Sequence, residues 1–278
     1  MKKRHVLRTI GAAAVFALGW IGYAYLTLPD VRPLAGGNPS TTAFIELRAR
    51  EAHAVGKPAK RVQRWVPYSR MSPHLKRAVL VAEDAAFWQH EGVDYDELQK
   101  AMELGFLRGA STITQQLAKN LYLSPSRNPV RKFRELIITR RLEAELEKAR
   151  IFELYLNVIE WGDGIYGAEA AARTYFGVPA ASVGPSQAAL MAAAIINPRL
   201  LNIAQPSPRL TRRQQLILRR MGAVTPPEQR TPVPHDPIAP PLPDQFAPLP
   251  GQAGAPPDQP PDAPLTSDET AILPEPKR

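Results

Sequence analysis

Apolar positions recur at three- and four-residue spacing from Ser72 to Met221, and few runs alternate strictly between apolar and polar. That pattern predicts a helical domain with no sheet of any size. Ser72 followed by Pro73 has the form of a helix N-cap with proline at the first helical position. Residues 94–107 give a second helical stretch. Ser111 or Thr112 caps a third, and Thr112-x-x-Gln115 has the spacing of a capping box. Pro129 opens a long helix through 131–148 and on towards Asn157. Gly162, Gly164 and Gly167 interrupt the pattern. Two Ala-rich helices over 168–175 and 186–196 follow, then a basic one over 210–221. About 150 residues are enough to bury a real core.

The two ends of the chain follow other patterns. Lys2, Lys3, Arg4 and Arg8 precede an uncharged stretch from Thr9 to Leu28. As a helix it would span roughly 30 Å, the hydrocarbon thickness of a bilayer. Trp20, Tyr23 and Tyr25 lie near its far end, where aromatic rings favour the interface. A cleaved signal peptide is the competing reading, but the run is longer than a signal core and no clean A-x-A site follows. The expected plan is a basic cytoplasmic N-terminus over 1–8, a membrane anchor over 9–28 and a connector over 29–64. A globular domain over 65–223 follows, facing outward, and then a disordered, proline-rich tail over 224–278.

Charge and composition sharpen this plan. Residues 225–278 hold 17 of the 30 prolines, with eight acids and three bases, a formal charge of −5. The whole-chain charge of +9 therefore leaves +14 on residues 1–224. That excess fits an anionic lipid surface or a diphosphate, and no nucleic-acid motif accompanies it. With no cysteine in the chain, thiol nucleophiles, Cys-zinc sites and iron–sulfur clusters are excluded.

Four stretches could carry chemistry. In Glu83–Gly92, a continued helix would put Glu83, Phe87 and His90 on one face, a carboxylate beside an aromatic wall and an imidazole. A helix end with surface acids and a packed Phe would look the same. In Gly109–Asn120, a helix start with free N–H groups, with Gln115, Gln116 and Lys119 on adjoining turns, suits an anionic ligand; an ordinary capped helix fits equally. The run Arg127, Arg131, Lys132, Arg134, Glu135, Arg140, Arg141, Glu143 is either a solvated face or a cradle for a diphosphate around Glu135. The last stretch, Lys148–Gly177, reads as a buried helix and a glycine turn. Its G-x-G-x-x-G count lacks a preceding strand, so no dinucleotide site is expected. No cluster of His with carboxylates has metal-site spacing, so no metal ligands are assigned.

Together, in order, five blocks resemble a known family: EDAAFWQHEGVD (83–94), GASTITQQLAKN (109–120), RKFRE (131–135), KARIFELYLN (148–157) and GDGIYGAEAAARTYFG (162–177). The chain resembles glycosyltransferase family 51, the peptidoglycan glycosyltransferases, and is most similar to its stand-alone members. The resemblance covers roughly residues 65–222. Departures are small: Ala110 replaces a frequent Gly, Val178 a frequent Lys, and the segment over 95–108 is short for the family's mobile loop. No S-x-x-K follows the domain, so no transpeptidase domain is expected.

The resemblance implies an all-α, lysozyme-like fold and an enzyme that polymerises lipid II on the outer face of the bacterial inner membrane. It implies that Glu83 is the general base on the acceptor hydroxyl and Glu135 the second essential carboxylate. Thr112, Gln115, Gln116, Lys119, Asn120, Arg127, Arg131 and Lys132 would bind donor and diphosphate; Asp84, Phe87 and His90 would shape the first site. No cofactor is required, although some members hold a divalent cation, Mg or Mn, at the diphosphate. Expected partners are lipid II, the growing glycan chain, the membrane, and cell-wall synthesis or division proteins. Two rivals stand beside this reading. One is a lytic or hydrolytic enzyme acting on finished glycan. The other is a non-catalytic membrane partner that uses the proline-rich tail as a ligand.

Overall fold

The computed structural model describes residues 11–12, 15, 18–19, 22–23, 26–103, 111–125 and 128–223. They lie in the first of two units, Met1–Pro227; the second, Glu228–Arg278, falls outside them. Half of the expected anchor over 9–28, the whole tail over 224–278, residues 104–110 and Arg127 also fall outside. Among the described residues no helix is long and apolar enough to cross a membrane.

Nine α-helices of eight or more residues are described: α1 (Ala43–Ala54), α2 (Pro73–Glu83), α3 (Tyr95–Glu103), α4 (Ile113–Tyr122), α5 (Pro129–Glu145), α6 (Lys148–Val158), α7 (Ala168–Phe176), α8 (Pro185–Ala194) and α9 (Pro208–Arg220). The mostly helical expectation is met. Local signals set most starts. Thr42, Ser72, Thr112, Asn128 and Ser207 each accept a backbone N–H from the first turn of the helix they precede, and Pro stands at the start of α2, α5, α8 and α9.

Helix α8 is the packing hub on one side. Ala188 to Ala194 are all buried, and the five alanines among them let α2 and α9 pack against it. On the other side α4 packs against α5 and α6. Leu75, Leu80, Ile113, Leu117, Ile138, Leu142, Ile151 and Phe152 join the two sides in one core cluster.

Three expectations need correction. First, a small sheet exists: β1 (Val62–Gln63) pairs parallel with β3 (Ile165–Tyr166), which pairs antiparallel with β2 (Glu160–Gly162). The glycines that interrupt the helical pattern build this hairpin. A Cβ on Gly162 would sit 1.8 Å from the Tyr175 hydroxyl, and Gly167 has φ +83° with the Asn157 carbonyl 2.8 Å from where its Cβ would be. A short strand thus does precede the G-x-G-x-x-G run, but it turns back antiparallel rather than opening a crossover helix.

Second, the long helix from Pro129 is two helices. Leu146 and Glu147 are extended, with ψ 142° and 148°. The break lets amphipathic α5 keep a solvent face while α6 buries Ile151, Phe152 and all of Leu154–Val158.

Third, residues 29–64 are more than a connector. Leu28, Val31 and Leu34 are in the core cluster. Arg150 donates to the carbonyls of Leu34 (2.8 Å) and Gly37 (2.5 Å), and Arg48 of α1 pairs with buried Glu160 at 3.1 Å.

Candidate active site

Helix α2 ends at Glu83 because the next residue leaves helical geometry. Asp84 has φ −165° and ψ 82°. Its carboxylate accepts the N–H of Ile113 at 2.9 Å through Oδ2, and Oδ1 lies 3.0 Å from His90 Nε2. Asp84 therefore ties the end of α2 to the start of α4.

Residues 84–92 are turns and bends, so the expected helical face of Glu83, Phe87 and His90 does not form. Phe87 is fully buried, with Trp88 edge-on at 4.9 Å, Phe152 at 5.5 Å, and the Lys148 ammonium 4.4 Å from its ring centre. It is part of the core and lines no part of the cleft described below. His90 meets Asp84 through Nε2.

The start of α4 is a full capping box. The Thr112 hydroxyl donates to the Gly92 carbonyl (2.7 Å) and accepts the Gln115 N–H, while the Gln115 side chain accepts the Thr112 N–H. The N–H groups of Thr112, Ile113 and Gln115 are thus occupied, by Gln115, Asp84 and Thr112 in turn. The expectation of free N–H groups waiting for an anion fails for this reason. Asn120 is likewise inward, donating to the Gln116 carbonyl at 2.8 Å.

One turn further, α4 faces the two acids. Gln116 Nε2 donates to Glu83 Oε2 at 2.8 Å, and Gln116 Oε1 accepts the Tyr155 hydroxyl of α6 at 2.9 Å. Tyr155 is completely buried, so its O–H donates inward and fixes which end of the amide meets Glu83. Burial holds the Tyr155 phenol well above its ordinary range, so it stays a donor.

Glu135 of α5 is gripped by Arg131 at 2.5 Å and by Lys132. A cleft of about 100 Å³ lies between, lined by Ser111, Gln115, Gln116, Lys119, Arg131, Lys132 and Glu135. Six of these residues were read from the sequence as site candidates; Ser111 was noted only as a cap.

Electrostatics separate the parts. Burial raises the Glu83 carboxyl above its ordinary value; the Gln116 hydrogen bond and the charges of Arg213 and Lys119 oppose that rise. Burial lowers the Lys119 ammonium, with Arg131 and Lys132 adding to the drop and Glu135 and Glu83 opposing it. A carboxylate that takes up a proton more readily than usual thus stands beside a pocket of fixed positive charge. That arrangement can accept a proton from a hydroxyl on one side and stabilise a departing anion on the other.

A divalent ion held by protein ligands does not fit the cleft, because its one carboxylate is already held by two cations. The one cluster among the described residues with ligand atoms in metal-like proximity is Asp84, His90 and Asp94. The sequence spacing did not suggest it, because a turn brings it together. Three of its oxygens are engaged: both of Asp84 as above, and Asp94 Oδ1, which accepts the Glu97 N–H at 2.8 Å.

Two groups that meet the site are not legible in the sequence. Tyr155 looked like one more core aromatic, and Arg213 like one of many bases on α9. Neither carries a local signal, since each meets the site through tertiary packing.

Residues 50–222 match the family described as Transglycosylase. The chain belongs to that family. It is the family that the five sequence blocks point to, and membership makes the chain a glycosyltransferase. A biosynthetic peptidoglycan transglycosylase of Dechloromonas aromatica is 50% identical over 191 residues, 67% of this chain and 83% of the relative. That of Nitrosospira multiformis is 47% identical over 193 residues, 68% and 84% of the two chains. That of Laribacter hongkongensis is 45% identical over 219 residues, 77% and 96% of the two chains.

Proposed function

We propose that this glycosyltransferase polymerises lipid II into β-1,4-linked peptidoglycan strands and releases undecaprenyl diphosphate. The observation that carries the reading is the pairing of Glu83 with the cationic cleft across a single helix, α4. The acceptor hydroxyl gives its proton to Glu83 as its oxygen bonds the donor's anomeric carbon. The bond from that carbon to the diphosphate breaks on the opposite face, and the diphosphate leaves with the electron pair. Attack opposite to departure inverts the α-linked donor to a β-linked product.

Lys119, Arg131 and Lys132 neutralise the leaving diphosphate, and Glu135 holds Arg131 and Lys132 in place for it. A lytic enzyme on finished glycan has no anionic leaving group and no use for such a cradle. Any divalent ion would ride on the diphosphate itself, and no step depends on it. The membrane anchor over 9–28, with the catalytic domain on the outer side of the inner membrane, belongs to the same proposal, since the substrate is a membrane lipid.

Purified protein on labelled lipid II tests the reading. Glycan polymer from the wild type and none from Glu83→Gln is expected. Muropeptide release from sacculi without lipid II turnover would replace the synthase with the lytic rival.

A further inference from the structure

Glu83 is approached from two sides. Gln116 of α4 touches Oε2. On the other side, Arg213 of α9 places a guanidinium nitrogen 3.6 Å from Oε1. That distance is an ion pair without a direct hydrogen bond. Oε1 is therefore close to a positive charge and still has room to accept a hydroxyl proton. The Arg213 side chain is about one-third exposed, but its Nε is buried without a hydrogen-bond partner. Packing therefore fixes it more than hydrogen bonding does. Around it Val81, Ala82, Leu216, Ile217 and Arg220 form a small cleft between α2 and α9.

We infer that Arg213 is a positioning residue for the general base: it orients Glu83 Oε1 towards the acceptor and keeps the carboxylate charged within a buried setting. This deepens the proposed reaction and rests on Glu83 being its base. The groups facing Glu83 are Arg213 from α9, Gln116 and Lys119 from α4, and Tyr155 of α6 through Gln116. Asp84, its chain neighbour, works the other way. Of the two cations, Lys119 is shared with Glu135 and the cleft. Arg213 is the one that forms an ion pair with Glu83. Its loss should leave Glu83 harder to ionise, so activity would begin at higher pH.

The test is the pH profile of kcat and KM on lipid II for the full chain and for Arg213→Gln, Arg213→Lys and Arg212→Gln, each with its melting temperature. Arg212 is exposed on the same helix and serves as control. Arg213→Gln should lower kcat about tenfold at neutral pH and move the acid limb up by roughly one pH unit, with KM within about twofold. Arg213→Lys should recover most of both losses, and Arg212→Gln should match the wild type. An acid limb unmoved in Arg213→Gln overturns the inference, as does a rise in KM alone. If Arg213→Gln does not fold, Arg213→Lys decides: a folded Lys variant as inactive as Glu83→Gln also overturns it. Activity retained in Glu83→Gln would instead remove the base reading itself, so the two failures are distinguishable.

Discussion

Glu83 and Glu135 are both largely buried acids that act on the charge of Lys119, yet they are held in opposite ways. Glu135 has two cations in direct contact, supplied by its own helix three and four residues away. Glu83 has one amide in contact and a guanidinium at 3.6 Å, both from other helices. The first is an acid whose charge is matched by its neighbours, and in the proposed reaction it serves as scaffold for a cationic surface. The second is an acid whose charge is under-compensated, so a proton is welcome there. The different roles proposed for the two carboxylates follow from what surrounds them.

The sharpest break of this comparison is Glu83→Gln. Polymerisation should fall by about 10²–10⁴-fold, the usual worth of a general base. The same change should stabilise the fold. The folded state holds Glu83 above its unfolded value, so the protonated form favours folding. That benefit is present below the ordinary carboxylate range and is lost as pH rises through the raised value. At neutral pH the neutral amide removes the remaining cost, on the order of 1 kcal/mol, or roughly 2–4 °C in Tm. The gain should vanish as the pH of the melt is lowered towards the ordinary range; a gain that persists there would contradict the burial argument.

Glu135→Gln should move Tm the other way. It strips both cations of their counter-charge, at about 2 kcal/mol, less than for a fully buried pair because Lys132 is half exposed. Activity should drop about 10²-fold through the loosened cradle. Equal Tm shifts for the two Glu→Gln variants would erase the distinction drawn above.

Tyr155→Phe tests the relay behind Glu83. It frees the Gln116 amide to flip and present its oxygen. About 1 kcal/mol of stability and several-fold in kcat should be lost, with donor KM unchanged. The smallest effect is expected from deleting 225–278. No described site residue belongs to that segment, so turnover in solution should stay within about twofold of the full chain. A collapse of activity would give the tail a part in the reaction.

Helix starts were legible because capping is local chemistry: Ser72-Pro73, Thr112-x-x-Gln115 and Pro129 each fix a start within a few residues. The cation–acid grouping on α5 was legible for the same reason, since Arg131, Lys132 and Glu135 sit within one turn. What was not legible is tertiary. The end of α2 depends on Asp84 finding Ile113, the break at Leu146 on what α6 must bury, and the setting of Glu83 on a helix far along the chain. The free helix start failed because its own capping box took the N–H groups of Thr112 and Gln115, and Asp84, from the end of α2, took that of Ile113; periodicity carries no trace of the last of these.

The packing of Trp88 has a practical consequence. Its indole lies edge-on to Phe87 and 6.2 Å from Phe152, in the turn that follows Glu83 and Asp84. Indole emission responds to its immediate surroundings, so a substrate that reshapes this turn should change the colour and quenching of Trp88. Replacing Trp20, Trp65 and Trp161 by Phe would leave Trp88 as the sole tryptophan, five residues after Glu83, and substrate binding could then be timed in a stopped-flow instrument without any attached dye.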